Sequence, residues 1–176
     1  MKANMAQEFE TKDTDQNRYH QEQDNTAQYL SFVLDNEEYG VDILRVQEIR
    51  SWEPVSRIPN VPFYEKGVVN LRGAIVPIID LREKLRIKFK EYTPLTVVVV
   101  LQTSDGNKTR TMGVVVDSVS DVITIDKAKI QETPDFGTKA SNEFINGLVS
   151  VNEQMLVLLD VDKLLKLEEL DPSESY

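Results

Sequence analysis

The sequence predicts an all-β protein with short helices, arranged as two small five-stranded barrels with a groove between them. Short segments rich in β-branched residues alternate with turn-forming residues along the chain. No helical pattern of about 10 to 15 residues separates them, which disfavours a parallel α/β fold. The second half of the chain also repeats the order of elements in the first half. Short strands and a duplication together indicate two similar β-modules.

The internal repeat consists of two matches that occur in the same order. Residues 67–85 align with 147–165 without a gap, and residues 39–49 align with 112–122. Each module offers about five short strands, too little core to be stable alone at this size. Closing each sheet hides its edges, and packing the two modules together buries more apolar surface. The alignment pairs Gly67 with Gly147, Asp80 with Asp160, and Gly40 with Gly113.

In the first half, residues 29–34 and 39–43 flank a turn-like segment and predict a hairpin. Residues 43–49 fit either a short helical turn or a continued strand. Three prolines then mark a loop that cannot be regular helix, and a second hairpin follows around Arg72 and Gly73. The prolines are Pro54, Pro59 and Pro62, and the hairpin strands are 67–71 and 74–80.

The second half repeats this theme and ends in a helix near 160–168, where leucines recur at helical spacing. Asp80 and Asp160 fall where a strand passes into a helical turn, and they are expected to cap that turn. The first barrel is expected at roughly 29–90 and the second at roughly 95–165. The strands of the second half are predicted at 96–103, 109–117, 119–125, 145–151 and 154–161.

Composition places the chain among cytoplasmic proteins. The 176 residues include no cysteine, no secretory signal and no apolar run long enough to cross a bilayer, which takes about 20 residues. The net charge of -10 disfavours nucleic-acid binding. Residues 1–26 are polar and are predicted to be a disordered extension. The folded domain is expected at 27–168, followed by an acidic tail at 169–176.

No catalytic constellation is visible in the sequence. His20, the single histidine, lies in the extension predicted to be disordered, so a nucleophile would lack its usual base. No cluster of metal-ligating residues and no glycine-rich phosphate loop is present, and no cofactor is expected. The sequence therefore predicts a protein without enzymatic activity that works through its surfaces.

Four surface features each leave two interpretations open. Glu48 and Ile49, beside Arg50, form either a solvated edge with one apolar anchor or a contact surface. Arg72 is either an exposed turn residue or a forked donor held over a groove. Residues 96–101 are apolar on both strand faces, so the strand is either enclosed or presents one face to a partner. Phe136, which follows Asp135 in a loop, is either an interface anchor or part of the local core.

Four ordered motifs resemble the CheW family of chemotaxis coupling proteins. They are residues 39–50 (YGVDILRVQEIR), 67–82 (GVVNLRGAIVPIIDLR), 113–122 (GVVVDSVSDV) and 145–148 (INGL). The resemblance covers about 27–168. It implies two intertwined SH3-like barrels without catalysis. It also implies binding to the cytoplasmic tips of methyl-accepting chemotaxis receptors and to the regulatory domain of the histidine kinase CheA, in arrays that include further copies of the coupling protein.

The resemblance also assigns roles to residues. It implies a receptor-binding surface that consists of Val46, Glu48, Ile49, Arg72, Gly73, Val97 and Val98. A kinase- or coupler-binding loop would contain Gln131, Asp135 and Phe136, with Gln131 standing where a basic residue is expected.

Three rivals stay open at this point. The chain could be a coupling paralogue of another sensory pathway. It could be a fragment of a longer protein, either a kinase regulatory domain or a coupler fused to a receiver, although Met1 and the polar C-terminus favour a complete chain. It could also be a small barrel that binds oligonucleotide or sugar, which would need a basic or aromatic-lined groove.

Overall fold

Two five-stranded sheets make up the part of the chain that this computed structural model describes, residues 25–134 and 143–166. Two single-turn helices, α1 (Leu81–Lys84) and α2 (Val161–Leu164), follow β5 and β10. The prediction of an all-β fold with short helices is confirmed. Among the described residues, no helix is long and apolar enough to cross a membrane. The strands are β1 (Thr26–Leu34), β2 (Glu37–Asp42), β3 (Val46–Ser51), β4 (Glu65–Leu71), β5 (Ala74–Asp80), β6 (Val97–Asp105), β7 (Lys108–Val116), β8 (Ser118–Asp126), β9 (Ile145–Val151) and β10 (Gln154–Leu159).

The segment that periodicity left undecided contains both of its alternatives. Ile43–Arg45 forms a 3-10 turn, and β3 begins immediately after it. The Asp42 side chain starts the turn by accepting a hydrogen bond from the Leu44 N–H at 2.9 Å. At the start of the domain, β1 begins at Thr26, three residues before the predicted strand and one residue before the expected start of the domain. The extension up to residue 24 and the acidic tail at 169–176 lie outside the described residues.

The two sheets exchange strands between the halves of the sequence. Sheet A has the order β8-β1-β2-β10-β9, and sheet B has the order β3-β6-β7-β5-β4. Each sheet therefore combines the opening hairpin of one repeat with the last three strands of the other. The intertwined arrangement is confirmed, but the assignment of the barrels to 29–90 and 95–165 is wrong. The Ile43–Arg45 turn joins β2 to β3, and Asp117 alone joins β7 to β8. Neither link folds its two strands back into a pair, so the chain passes into the other sheet at each of them.

Each sheet is closed by a single antiparallel bridge between its edge strands. In sheet B, Ser56 follows β3 and pairs with Val68 of β4, with N···O distances of 2.8 and 3.0 Å. In sheet A, Gln131 follows β8 and pairs with Leu148 of β9 at 2.8 and 2.9 Å. These bridges hide edges that would otherwise expose unpaired backbone groups.

The glycines that align in the repeat make these bridges possible. A Cβ atom on Gly67 would lie 2.2 Å from the Ser56 carbonyl oxygen, and Gly67 also has a φ of +142°. A Cβ atom on Gly147 would lie 2.5 Å from a methyl group of Ile130. Close backbone approach therefore explains why the alignment pairs these two positions.

The largest apolar cluster lies between the two sheets and draws residues from both. Strand β6 shows how it is built. Val99 and Leu101 belong to this shared core, while Val98 and Val100 face the other way and pack in the interior that sheet B encloses as it curls. The run 96–101 is thus enclosed on both faces, which decides between its two interpretations. The space expected to be a groove is filled for the most part by this packing. The buried members of the shared core are Leu30, Phe32, Leu34, Val41, Ile79, Leu81, Val99, Leu101, Met112, Val114, Val116, Leu159, Val161, Leu164 and Leu165.

The two aspartates at the ends of β5 and β10 are helix N-caps, as predicted. The Asp80 carboxylate accepts a hydrogen bond from the Glu83 N–H at 3.2 Å, and Asp160 accepts one from the Lys163 N–H at 3.0 Å. The four-residue helices α1 and α2 therefore begin at equivalent points of the two repeats.

An ion pair between a buried arginine and a partly exposed aspartate lies where the chain passes from β7 to β8. Arg82 of α1 is 5% exposed and donates two hydrogen bonds to the Asp117 carboxylate, one of them from Nε at 2.6 Å. Burial by itself would raise the pKa of Asp117. The hydrogen bonds from Arg82 and from the Asp35 N–H, together with the charge of Arg82, outweigh burial and lower this pKa.

The closure glycine gives a stability prediction. Gly67→Ala is expected to lower the free energy of unfolding by about 3 kcal/mol, because backbone atoms of Ser56 occupy the space that the new methyl group needs. Gly106→Ala is the matched control, since Gly106 also has a positive φ but has open space around it; it should lose about 1 kcal/mol. Urea unfolding of both variants measures the difference, and equal losses would contradict the role of Gly67 in closure.

The Asp117 pair gives a pH prediction. Because the pKa of Asp117 is lower in the folded protein than the unfolded value of about 3.9, its ionised form stabilises the fold above that value. Asp117→Asn should cost about 3 kcal/mol at pH 7, and the cost should shrink as the pH falls below about 4. Urea unfolding between pH 7 and pH 3 measures the cost, with the exposed Asp105→Asn as control. A cost that stays constant over this range would refute the assignment.

Candidate functional site

The site at one end of sheet B begins with the register between β3 and β6. Glu48 lies opposite Val100, and Arg50 lies opposite Val98. Residues that face each other across antiparallel strands point to the same side of a sheet. Since Val98 and Val100 pack inside sheet B, Glu48 and Arg50 point towards that interior where the sheet opens to solvent.

Arg72 reaches Glu48 from the hairpin between β4 and β5. Arg72 and Gly73 have φ values of +52° and +89°, which is the mirror-image turn that suits two-residue hairpins. The Asn70 side chain accepts a hydrogen bond from the Gly73 N–H at 2.8 Å and holds this turn. The Arg72 guanidinium then lies 3.1 Å from a Glu48 carboxylate oxygen, although Arg72 itself is largely exposed.

Glu48 is shared between two arginines. Its second carboxylate oxygen lies 3.4 Å from Arg50, and Arg50 lies 3.9 Å from Glu53 on its other side. The four side chains form a chain of alternating charge along the opening of sheet B. Arg72 shows features of both interpretations: one guanidinium nitrogen contacts Glu48, and the side chain is largely exposed in its turn.

A cavity of about 240 Å³ with a mixed polar and apolar lining lies beside this charged row. Arg50 and Glu53 line its rim, and Val98, Val100 and Ile78 line its floor. An apolar floor with a few fixed charges at the rim suits one apolar side chain of a partner, oriented by polar contacts.

The structure places the predicted receptor-binding residues on two faces of sheet B. Glu48 and Arg72 form the ion pair, Gly73 completes the turn, and Val98 is 6% exposed on the cavity floor. The other three side chains face the opposite side of the sheet. Val46 and Val97 pack against the shared core, and Ile49 is 45% exposed.

The predicted kinase-binding loop is described only at its start. Gln131 is exposed and forms the bridge that closes sheet A. Asp135 and Phe136 lie outside the described residues, so both interpretations of Phe136 stay open.

Two residues of the site were missed from the sequence as members of it. They are Glu53, which the sequence does not single out, and Arg50, which the sequence shows only as a polar neighbour of Ile49. The available signal was the i, i+2 spacing of Glu48 and Arg50, which puts both side chains on one face of a strand.

Sheet A does not repeat this charged row. By the repeat, Asp121 corresponds to Glu48, Ile123 to Arg50 and Asn152 to Arg72. The turn is conserved in shape, since Asn152 has a φ of +50°. Without the arginines, however, the same backbone carries a different surface, so the two ends of the molecule suit different partners.

The fold and this site define a two-sheet interaction module. Within the described ranges, no group of three or more histidine, cysteine or acidic side chains is arranged to hold a metal ion. A family model described as "CheW-like domain" matches residues 28–169.

Relatives of similar length carry the same family name. The chain is 48% identical over 143 residues to the chemotaxis protein CheW of Klebsiella aerogenes, covering 81% of this chain and 84% of that protein. It is 36% identical over 140 residues to the chemotaxis protein CheW of Rhizobium meliloti, covering 80% and 88%. The solved structure of the scaffolding protein TtCheW from Thermoanaerobacter tengcongensis matches with a TM-score of 0.72 and 27% identity, covering 81% of this chain and 89% of that one. The chain belongs to the CheW family.

The geometry of the site predicts that Arg72 matters little for folding. Arg72 is 87% exposed at the side chain, and exposed ion pairs contribute about 0 to 1 kcal/mol. Arg72→Glu is therefore expected to keep the free energy of unfolding within about 1 kcal/mol of the wild type. Thermal and urea unfolding monitored by circular dichroism measure this. Aggregation or a much earlier transition would make Arg72 a structural residue.

Proposed function

We propose that this protein is a non-enzymatic chemotaxis adaptor that couples methyl-accepting chemoreceptors to the histidine kinase CheA. The observation that carries the proposal is the Glu48–Arg72 ion pair beside a cavity with apolar residues at its floor, in a chain of the CheW family. The adaptor works in the cytoplasm, at the cytoplasmic tips of receptor arrays, and takes no cofactor.

The receptor tip is proposed to dock at the charged end of sheet B. A helical hairpin presents apolar side chains at regular spacing, and one of them fits the floor formed by Val98, Val100 and Ile78. Arg72 and Glu48 orient the hairpin, because an exposed guanidinium attracts acidic groups and Glu48 holds it in position. The half-exposed Ile49, with Val46 and Val97, adds apolar contact along the side of sheet B that meets the shared core.

The kinase regulatory domain and neighbouring couplers are proposed to bind through sheet A. Gln131 is exposed at its closing bridge and leads towards Asp135 and Phe136. The two partners then occupy different sheets of one molecule. Because the sheets share strands and a core, a shift at the receptor tip moves the kinase-binding surface with it.

Receptor binding is tested with Arg72→Glu. The variant should bind a receptor-tip fragment at least about tenfold more weakly, which is about 1.4 kcal/mol, because it replaces the orienting cation with an anion beside Glu48. Asn152→Glu is the matched control, since it places the same side chain in the equivalent turn of sheet A and should bind normally. Isothermal titration calorimetry measures both affinities.

A second readout is kinase activity reconstituted from CheA, receptor fragment and this chain. Wild type and Asn152→Glu should restore receptor control of autophosphorylation, and Arg72→Glu should not. If the wild-type chain left kinase activity unchanged, the coupling function would be refuted. Equal receptor affinity of the two variants would refute only the assigned surface.

A further inference from the structure

We propose that Arg82 is the positioning residue that sets the angle between the two sheets. Within the described ranges it is the one positively charged side chain that is buried. It lies on α1, which follows directly from β5 of sheet B. Its partners lie in the link between β7 and β8, in the loop that follows α1 and in the first hairpin of sheet A.

One guanidinium connects four segments of the chain. Nε and Nη2 donate to Asp117, at the point where the chain leaves β7 of sheet B for β8 of sheet A. Nη1 donates to the Lys88 carbonyl oxygen at 2.8 Å, and it lies 3.5 Å from the Asp35 carboxylate in the turn between β1 and β2 of sheet A. Arg82 thus connects α1, which follows sheet B, to the link between β7 and β8 and to the first hairpin of sheet A.

Asp117 completes the connection from the other side. Its carboxylate accepts a hydrogen bond from the Asp35 N–H at 2.9 Å, and its own N–H donates to the Val33 carbonyl at 3.1 Å. The link between β7 and β8 is therefore fixed to the end of β1 and to the first residue of the β1–β2 turn. The lowered pKa of Asp117 agrees with a carboxylate that stays ionised in these contacts.

The other crossing carries a counterpart with the charges reversed. Asp162 of α2 pairs with Arg45, at 2.7 Å, where the chain passes from β2 to β3. The same carboxylate accepts a hydrogen bond from the Ser104 N–H at 2.7 Å, near the end of β6. Asp162 aligns with Arg82 in the repeat, so both crossings are tied to the helix at the same position. This second pair is about one-third exposed and is the weaker constraint.

Directional contacts are needed because the shared core supplies none. Apolar burial is non-directional and tolerates small rotations of one sheet over the other. A forked arginine that bonds a carboxylate at two points fixes orientation as well as distance. The function of this Arg82 contact rests on the proposed adaptor role, because the angle between the sheets decides where the receptor-binding and kinase-binding surfaces lie relative to one another.

The test measures the distance between the sheets in the folded protein. The chain contains no cysteine, so Ser150→Cys on β9 and Ala74→Cys on β5 allow spin labels on sheets A and B at exposed positions. Pulsed electron–electron double resonance on the doubly labelled full chain should give one narrow distribution of distances between the two spin labels. Arg82→Gln should at least double its width, and Arg82→Lys should give an intermediate width because it keeps the charge and loses the fork.

Arg57→Gln is the matched control, since Arg57 is exposed and should leave the distribution unchanged. The measurement is made far below the unfolding temperature, with circular dichroism confirming the fold. A residue that only stabilises the fold would lower the unfolding temperature and leave the distribution narrow, which would overturn the proposal.

A second variant keeps the test decisive if Arg82→Gln does not fold. Asp35→Asn removes the ion pair between Arg82 and the first hairpin of sheet A. The substitution leaves Arg82 paired with Asp117, and Asp35 itself is 59% exposed at the side chain. It should broaden the distribution by about half as much; an unchanged width in both Asp35→Asn and Arg82→Lys would also overturn the proposal. Since no receptor or kinase is present, this outcome is independent of the coupling function.

Discussion

The apolar core between the two sheets is the interaction on which the rest of the structure depends. Each sheet alone has only five short strands and a small interior cluster, such as Val76, Ile78 and Val100 in sheet B. The shared cluster is larger than either interior and takes residues from both repeats. Because β2 and β7 each continue into the other sheet, neither repeat can bury its apolar residues without the other. The exchange of strands therefore makes two small modules one folding unit.

The duplication repeats backbone constraints and varies surface chemistry. Gly67 and Gly147 both permit a closing bridge, and Asp80 and Asp160 both cap a helix. These positions serve the fold, so both repeats need them. The exposed positions are free to differ, and the row of Glu48, Arg50 and Arg72 has no charged counterpart in sheet A beyond one carboxylate. One architecture thereby presents two unlike ends, which is what an adaptor between two different partners requires.

Buried charge in this fold lies at the joint rather than at the candidate site. Arg82 is enclosed and donates three hydrogen bonds, whereas Arg72 is exposed and held by a single carboxylate. Removing a partner from a buried pair leaves an uncompensated charge, while an exposed pair is screened by water. The contacts that hold the two sheets together are therefore separate from the candidate site, so substitutions at the site can change its surface without destabilising the fold.

The sequence by itself determined most of the strands, the hairpin turns and the helix caps, because these follow from local patterns of a few residues, and it showed the duplication by direct alignment; only β3 was left undecided. Its resemblance to the CheW family supplied the receptor-binding set. Only the tertiary structure decided which strands pair, because pairing depends on the direction that the chain takes after each link. The prediction that each barrel consists of one contiguous half of the chain was wrong. It also decided that Val98 faces the interior of sheet B while Ile49 lies on the opposite face, and that Arg72 reaches the row formed by Glu48, Arg50 and Glu53. The contact between Arg72 and Glu48 joins residues distant in sequence, and no local pattern records the register that brings them together.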